Sequence, residues 1–114
     1  MTFLESLLRR AYEAFNQRDL QVALDCLHPD VVWTNGLDGG TITGREAVRA
    51  YWIEQWKKID PTVEPTSFAS GPTGKVVVTV HQVVHDLSGA LVLDQTVEHV
   101  YSFENNLIKT MKIN

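Results

Sequence analysis

Cysteine is almost absent from this sequence, which has only Cys26 among its 114 residues. A lone thiol forms no internal disulfide and supplies no zinc cluster, and this one lies in an apolar pattern between Leu24 and Leu27, so we expect a buried structural residue. Long apolar runs are absent too: none approaches the ~20 residues of a membrane span, and the N-terminus lacks the pattern of a secretory signal. We therefore expect a cytoplasmic protein that does not enter a membrane.

The sequence also has no large excess of charge of one sign. The 10 Lys and Arg residues and the 14 Asp and Glu residues leave a net charge of -4. The basic residues are scattered without interleaved aromatics, so we expect no nucleic-acid partner. The sequence has no HxH, HExxH or carboxylate cluster and no glycine-rich nucleotide loop, so we expect neither a metal nor a cofactor. A hydrophobic content of 44% predicts one globular domain with room for one core and one cavity.

The N-terminal half has helical periodicity. Apolar residues at helical spacing from Leu4 to Phe15 predict a first amphipathic helix that begins at Phe3, and Asp19 is placed to cap a short second one. A capping-box pattern at residues 43–46 predicts the start of a third helix, which continues at helical spacing until residues 60–61. Between the second and third helices, the apolar residues 31–33 predict a strand.

After the third helix the apolar residues alternate, which predicts strands over the rest of the chain. We expect a weak strand over residues 63–69, where Pro65 indicates an edge or a bulge. Longer strands are expected over 75–86 and 90–104, and a last one over 107–113. This order predicts an α+β fold in which three helices pack on one face of a curved, mainly antiparallel sheet.

The long hairpin also predicts a register. If residues 87–89 form its turn, His81 pairs with Gln95 and Val77 pairs with His99, so both histidines lie on one face. A largely apolar face with a few polar groups is typical of a small-molecule site. We therefore expect a cavity for a small apolar molecule there. The side chains expected in it are those of His81, His99, Gln95, Tyr101, Trp33, Asn35 and Trp52.

Each of these residues has a structural interpretation beside the functional one. A single histidine on a half-buried strand is more often a hydrogen-bonded structural residue than an acid or base, although two on one face favour function. Asn35 fits an Asx turn that holds a glycine-rich loop as well as it fits ligand binding. Trp33 and Trp52 suit either the core or the wall of a pocket.

The opposite face of the hairpin carries Val76, Val78 and Val80 in the same predicted register. The three helices can cover only one face of the sheet, so a second apolar face needs another cover. We therefore expect a homodimer through this outer face.

Three segments resemble the SnoaL-like branch of the nuclear transport factor 2-like superfamily: AFNQRDLQVALDCLHPDVVWTNG, GREAVRAYW and EHVYSFENNLIKTMKIN. The resemblance covers essentially the whole chain and implies a single SnoaL-like domain over residues 1–114. The fold that it implies is a cone-shaped α+β barrel of three helices against a strongly curved sheet, usually dimeric, with a deep apolar pocket. Enzymes of the superfamily include ketosteroid isomerase, limonene epoxide hydrolase and polyketide cyclases, and many relatives are non-catalytic.

The residues that these enzymes use are largely replaced. Relative to ketosteroid isomerase, the resemblance places Asn35 at the general-base aspartate, Ala11 at the oxyanion-hole tyrosine and His99 at the oxyanion-hole aspartic acid. An amide cannot abstract a proton, so that mechanism is not available at Asn35. Relative to limonene epoxide hydrolase the asparagine is kept, but His81 stands at the arginine and Val83 at one of the aspartates.

Two functions remain open. In the first, the protein is a cofactor-independent isomerase, cyclase or hydrolase of a small apolar substrate, with His99 as the acid or base and with Asn35 and His81 polarising a carbonyl or hydroxyl. In the second, it is a ligand-binding or dimerisation module without chemistry.

Overall fold

The structure is a computed structural model that describes residues 2–35 and 39–114. Within these residues, helices and strands form a layered α+β arrangement. The helices are α1 (Thr2–Asn16), α2 (Leu20–Asp25) and α3 (Arg45–Trp56). The strands are β1 (Leu27–Thr34), β2 (Thr41–Thr43), β3 (Ile59–Ser70), β4 (Val76–Asp86), β5 (Leu91–Glu104) and β6 (Leu107–Ile113), with a short 3-10 turn at Pro72–Gly74.

The predicted helix starts are close to those observed. The side chain of Asp19 accepts a hydrogen bond from the backbone N–H of Val22 at 3.3 Å, which confirms that it caps α2. α3 begins at Arg45, within the segment 43–46 that predicts its start, but the residue before it is Gly44 and no side chain caps the helix. The capping box predicted for α3 is therefore wrong.

The third helix ends earlier than its periodicity predicts. It stops at Trp56, because the chain is already part of the sheet at Ile59 and Pro61, which pair with Asp86 and Val84 of β4. Pairing of the backbone with a neighbouring strand takes precedence here over the helical spacing of side chains.

The strands form one sheet in the order β2-β1-β6-β5-β4-β3. β1 and β6 are parallel, and the other neighbours are antiparallel, so the prediction of a mainly antiparallel sheet is confirmed. Pro65 lies on the edge strand β3 beside a bulge, as expected for a residue that cannot donate to a ladder. The short edge strand β2 was not predicted.

The turn of the long hairpin forms as predicted. The N–H of Asp86 donates to the carbonyl of Ala90 at 2.9 Å. Gly89 has a φ of 94°, in the left-handed region that glycine adopts without strain. At the turn itself, the pairing of the two strands agrees with the predicted register.

Beyond the turn the register shifts by one residue. His85 faces Leu91, but Val84 faces Leu93, so Val92 is an extra residue on β5. Such a β-bulge changes which residues of the two strands share a face, because side chains alternate along a strand.

The shift overturns two predictions. His99 faces Val78 on β4, so Val76, Val78 and Val80 lie on the inner face and are 2%, 0% and 0% exposed. They belong to the core, and the predicted homodimer surface through these three valines is wrong. His81 lies on the outer face instead, so the prediction that it shares a cavity with His99 is also wrong.

The core lies between the inner face of the sheet and the helices. Its fully buried side chains include Leu8, Leu27, Val48 and Ile108. Cys26 is buried among them, and its Sγ lies 3.4 Å from the carbonyl oxygen of Val22, as expected of a structural thiol. In the part of the chain that the structure describes, no helix has both the length and the apolar character needed to cross a membrane.

Candidate functional site

The inner face of the sheet and the three helices line a cavity of about 80 Å³. One water needs roughly 10–15 Å³ of such space, so a small organic molecule has room there. Most of the lining is apolar or aromatic, and none of the described residues that form it is Asp, Glu, Lys or Arg. The polar lining consists of Tyr12, Thr34, Tyr51, Gln55, Gln82, His99 and Tyr101.

Three polar side chains meet in the wall of this cavity. The hydroxyl of Tyr12 lies 2.8 Å from Nδ1 of His99, and the hydroxyl of Tyr101 lies 2.6 Å from that of Tyr12. His99 and Tyr101 are two residues apart on β5, so both point to the inner face, whereas Tyr12 comes from α1. The rings of Tyr12 and His99 are stacked, with 6.0 Å between their centroids. We call these residues the Tyr12–Tyr101–His99 cluster.

The three groups of the cluster are uncharged near neutral pH: the phenols are so even at their ordinary pKa, and burial makes His99 so as well. Burial lowers the pKa of His99 to about 4, because the imidazolium ion loses its hydration. Burial raises the pKa of Tyr12 above its usual value, and neighbouring Tyr101 raises it further. Burial likewise raises the pKa of Tyr101. At pH 7 the cavity therefore offers hydrogen-bonding groups without charge.

Aromatic side chains supply the apolar part of the wall. Trp33 of β1 packs edge to face on Trp52 of α3, with 5.5 Å between centroids, and lies 6.5 Å from the ring of Tyr101. Phe15 of α1 packs on Trp52 at 5.3 Å. The structure places Trp33, Trp52 and Phe15 in the cavity lining, where flat rings present a large apolar surface to a ligand.

A second polar group surrounds Tyr51 of α3. The hydroxyl of Tyr51 donates to Oδ1 of Asn35 at 2.6 Å and accepts from Nε2 of Gln55 at 2.9 Å. Tyr51 and Gln55 line the cavity, and Asn35 is linked to it through Tyr51. The backbone carbonyl of Asn35 also accepts from the N–H of Gly39 at 3.0 Å. Asn35 therefore contacts both the lining residue Tyr51 and the backbone of Gly39.

The other predicted site residues, His81 and Gln95, are not in the lining. Nε2 of His81 lies 2.7 Å from Oδ1 of Asp94 on the outer face. Gln95 is exposed, and its Nε2 donates at 3.0 Å to Oε1 of Gln82, which is the amide that lines the cavity. Among residues 2–35 and 39–114, no three His, Cys, Asp or Glu side chains are grouped so that they could hold a metal ion.

Tyr12 is the main site residue that the sequence prediction missed. The resemblance pointed to Ala11 at this position of the first helix, but the phenol comes from the next residue. The helical spacing does indicate the position of Tyr12. It follows Leu8 by four residues and precedes Phe15 by three, which places all three on one face of α1.

Three helices close a curved sheet over a cavity, and none of the described residues that line it carries a charge at neutral pH. This is the cone-shaped α+β barrel of the nuclear transport factor 2-like class. The chain belongs to the family of SnoaL-like domains, whose family model matches residues 8–111. The resemblance of the three sequence segments is thereby confirmed. No curated protein matches the chain significantly.

Solved structures share this fold. A nuclear transport factor 2-like protein of unknown function from Burkholderia pseudomallei K96243 is 30% identical, with a TM-score of 0.85 and a match that covers 100% of this chain and 91% of that one. Rv0760c from Mycobacterium tuberculosis, solved in complex with estradiol-17β-hemisuccinate, is 17% identical, with a TM-score of 0.83 and coverage of 97% and 92%. A candidate polyketide cyclase from Sinorhizobium meliloti is 18% identical, with a TM-score of 0.77 and coverage of 96% and 94%. At these last two identities, the similarity shows the fold alone.

Proposed function

We propose that the protein binds a small, largely apolar molecule in the cavity between the sheet and the helices. The observation that carries this proposal is the combination of aromatic walls from Trp33 and Trp52 with the buried Tyr12–Tyr101–His99 cluster in one lining. Small-molecule sites are mostly apolar cavities with a few convergent polar groups. Stability alone favours filled interiors, because protein cores are close-packed, so an open cavity of this composition favours a ligand.

Two of the similar structures support a small organic ligand. Rv0760c was solved with a steroid ester, and the Sinorhizobium meliloti protein is a candidate polyketide cyclase. These associations belong to those proteins. For this chain they are consistent with a ligand of the same general kind, an organic molecule with an apolar body and a few oxygen atoms.

The proposal is tested by filling the cavity. Ala11 lines it, so Ala11→Leu adds apolar volume there without removing a polar group. Ala50→Leu is the matched control, because it makes the same change at an exposed position of α3. The probes are acetophenone and α-methylstyrene, and binding is followed by NMR through the indole N–H signals of Trp33 and Trp52.

We expect both probes to shift these signals in the unaltered protein and in Ala50→Leu. Ala11→Leu should weaken binding about tenfold or more, since an overpacked site costs about 1–3 kcal/mol. Equal affinities of the Ala11→Leu and Ala50→Leu proteins would contradict the proposal. So would probes that leave the signals of Trp33 and Trp52 unchanged.

A reaction at this site is the second candidate, and the shifted pKa of His99 favours it, because perturbed groups cluster at functional sites. The reaction would be a cofactor-independent isomerisation, cyclisation or hydration, with His99 in contact with the reacting atoms. His81 has no part in it, because it lies on the outer face. A panel of a ketone, an epoxide and a lactone distinguishes an enzyme from a non-catalytic binding module. Turnover that is lost in His99→Gln supports the enzyme. Binding without turnover supports the module.

We also propose that the protein forms a homodimer, through a surface different from the predicted one. The observed register leaves Val77, Thr79 and Val83 half-buried on the outer face of β4, away from the helices. His81 and Asp94 lie on the same face. Apolar side chains grouped on a face that the helices do not cover are the observation that supports this proposal.

A further inference from the structure

The protons of the Tyr12–Tyr101–His99 cluster have few possible arrangements. Each hydroxyl can donate one hydrogen bond, and Nδ1 of a neutral His99 either accepts one or donates one. If Nδ1 accepts, Tyr101 donates to Tyr12 and Tyr12 donates to Nδ1, so each hydroxyl proton has an acceptor at 2.6 or 2.8 Å.

The alternative arrangement leaves one proton without an acceptor. If Nδ1 of His99 donates to Tyr12, then Tyr12 donates to Tyr101, and no described residue is left to accept the hydroxyl proton of Tyr101. In the structure the hydroxyl of Tyr101 is the donor to that of Tyr12, and only the first arrangement has this direction. Nδ1 is therefore the acceptor, and the proton of the neutral ring resides on Nε2.

Nε2 of His99 is open to the cavity. His99 lines the cavity and is 7% exposed, and Nε2 has no hydrogen-bonding partner among the described residues. In the same part of the chain, Nε1 of Trp56 is the one fully buried side-chain nitrogen or oxygen without a partner. Nε2 is therefore not sealed within the protein, and its N–H is accessible to a molecule in the cavity.

We propose that Tyr12 and Tyr101 are positioning residues that hold His99 as the neutral tautomer with its proton on Nε2, and that the cavity therefore selects an uncharged ligand carrying a hydrogen-bond acceptor. This inference rests on the proposed function, ligand binding in the same cavity. His99 then donates to a carbonyl-type oxygen, as a neutral imidazole can in an enzyme site. It does not abstract a proton through Nε2, because that nitrogen already carries one.

The selection against charge follows from the rest of the lining. No described lining residue is an acid or a base that is charged at neutral pH. An ionised ligand would leave water without meeting an opposite charge on any described lining residue, which is strongly unfavourable. The favoured ligand is a neutral molecule whose apolar body contacts Trp33 and Trp52 and whose oxygen accepts from His99.

The first test reads the tautomer directly in the unliganded protein. Two-bond ¹H–¹⁵N NMR of the imidazole rings distinguishes a proton on Nε2 from one on Nδ1 and from the imidazolium ion. We expect His99 at pH 7 to be a single neutral form protonated on Nε2. In Tyr12→Phe/Tyr101→Phe, which removes both hydroxyls, the ¹⁵N signal of Nδ1 should move and the Nδ1–H form should become detectable.

The control is Tyr51→Phe, which removes a hydroxyl from the same cavity but none from His99. It should leave the ring signals of His99 in place. A wild-type His99 protonated on Nδ1, or charged at pH 7, overturns the inference. So does a spectrum of folded Tyr12→Phe/Tyr101→Phe that is identical to that of the unaltered protein. Because Tyr12 and Tyr101 are core residues, the dispersion of the methyl signals verifies that the double variant is folded.

The second test compares three probes of similar shape at pH 7. Acetophenone is neutral and has an acceptor oxygen, α-methylstyrene has a methylene group in place of that oxygen, and benzoate is an anion. We expect acetophenone to bind about tenfold more tightly than α-methylstyrene, as the gain of one hydrogen bond implies, and more tightly than benzoate. The preference for acetophenone over α-methylstyrene should shrink in Tyr12→Phe/Tyr101→Phe.

Equal affinities for acetophenone and α-methylstyrene, or tighter binding of benzoate, contradict the proposed selection while leaving ligand binding itself intact. If none of the three probes binds, ligand binding in this cavity is what fails. In that case the tautomer of unliganded His99 still decides whether Tyr12 and Tyr101 position its proton.

Discussion

The hydroxyl of Tyr12 lies 2.8 Å from Nδ1 of His99, although the two residues are 87 positions apart in the chain. The contact joins α1 to β5 across the wall of the cavity, and both side chains are buried. A buried hydrogen bond of this kind is not readily replaced by one to water. The protonation of His99 is therefore coupled to the packing of the first helix on the sheet.

Acid should destabilise the fold through His99. Its pKa is about 4 in the folded protein, against about 6.5 in an unfolded chain. Because the folded-state value is the lower one, the unfolded chain binds the proton first as the pH falls. The contribution of His99 to stability is complete above pH 6.5 and is lost between about pH 6.5 and pH 4, and it amounts to about 3 kcal/mol.

Urea unfolding at pH 7 and at pH 4.5 checks this, with His99→Gln as the comparison protein. Carboxylates titrate in both proteins, so the relevant quantity is the difference between their losses of unfolding free energy. The unaltered protein should lose more than His99→Gln. An NMR titration in which His99 of the folded protein has its midpoint near pH 6.5 would show that its burial does not disfavour the charged form.

Two matched substitutions test the register of β4. Val78 is fully buried on the inner face, whereas Val77 is half-buried on the outer one. Threonine has nearly the shape of valine but adds a hydroxyl. Val78→Thr should lower the unfolding free energy by about 1–3 kcal/mol, the cost of burying a polar group without a good partner, and Val77→Thr by less than about 1 kcal/mol. In the register predicted from the turn alone, Val77 would lie on the inner face beside His99. Val77→Thr would then be the more destabilising substitution of the two.

That register shows how far the sequence determines the fold. The turn at residues 87–89 and the lengths of its strands follow from glycine placement and alternation, and the structure confirms both. The bulge at Val92 cannot be predicted in this way, because one extra residue in a strand does not change its composition noticeably. The bulge places Val76, Val78 and Val80 in the core cluster that also contains Leu8 and Tyr12 of α1, and these residues are distant in sequence.

Some residues of the candidate site can likewise be predicted from the sequence, and others cannot. The inner-face positions of His99 and Tyr101 follow from alternation along β5, and Trp33 from its place on β1. The spacing of Tyr12 on α1 predicts its place on the inner side of the helix, whereas the resemblance to ketosteroid isomerase indicates the neighbouring residue Ala11. Gln82 lines the cavity because the bulge brings the side of β4 that carries Val80 and Gln82 to the inner face, and the bulge could not be predicted.

The homodimer proposal predicts that a charge on the outer face changes the mass in solution. Val83→Lys places a lysine among the half-buried side chains of β4, where a partner would have to bury it. Leu87→Lys is the control, because Leu87 is 63% exposed at the tip of the hairpin. Light scattering at micromolar concentration should give a dimer for the unaltered protein and Leu87→Lys, and a larger monomer fraction for Val83→Lys. A monomer in all three cases contradicts the dimer.

A crystal structure of the protein with acetophenone tests the central claim most directly, because it locates the acceptor oxygen. The account predicts that the ring packs against Trp33 and Trp52 and that the carbonyl oxygen lies about 2.7–3.2 Å from Nε2 of His99. Density for acetophenone elsewhere, or with its carbonyl turned towards Tyr51 and Gln55, would contradict the claim that His99 is the donor that selects the ligand.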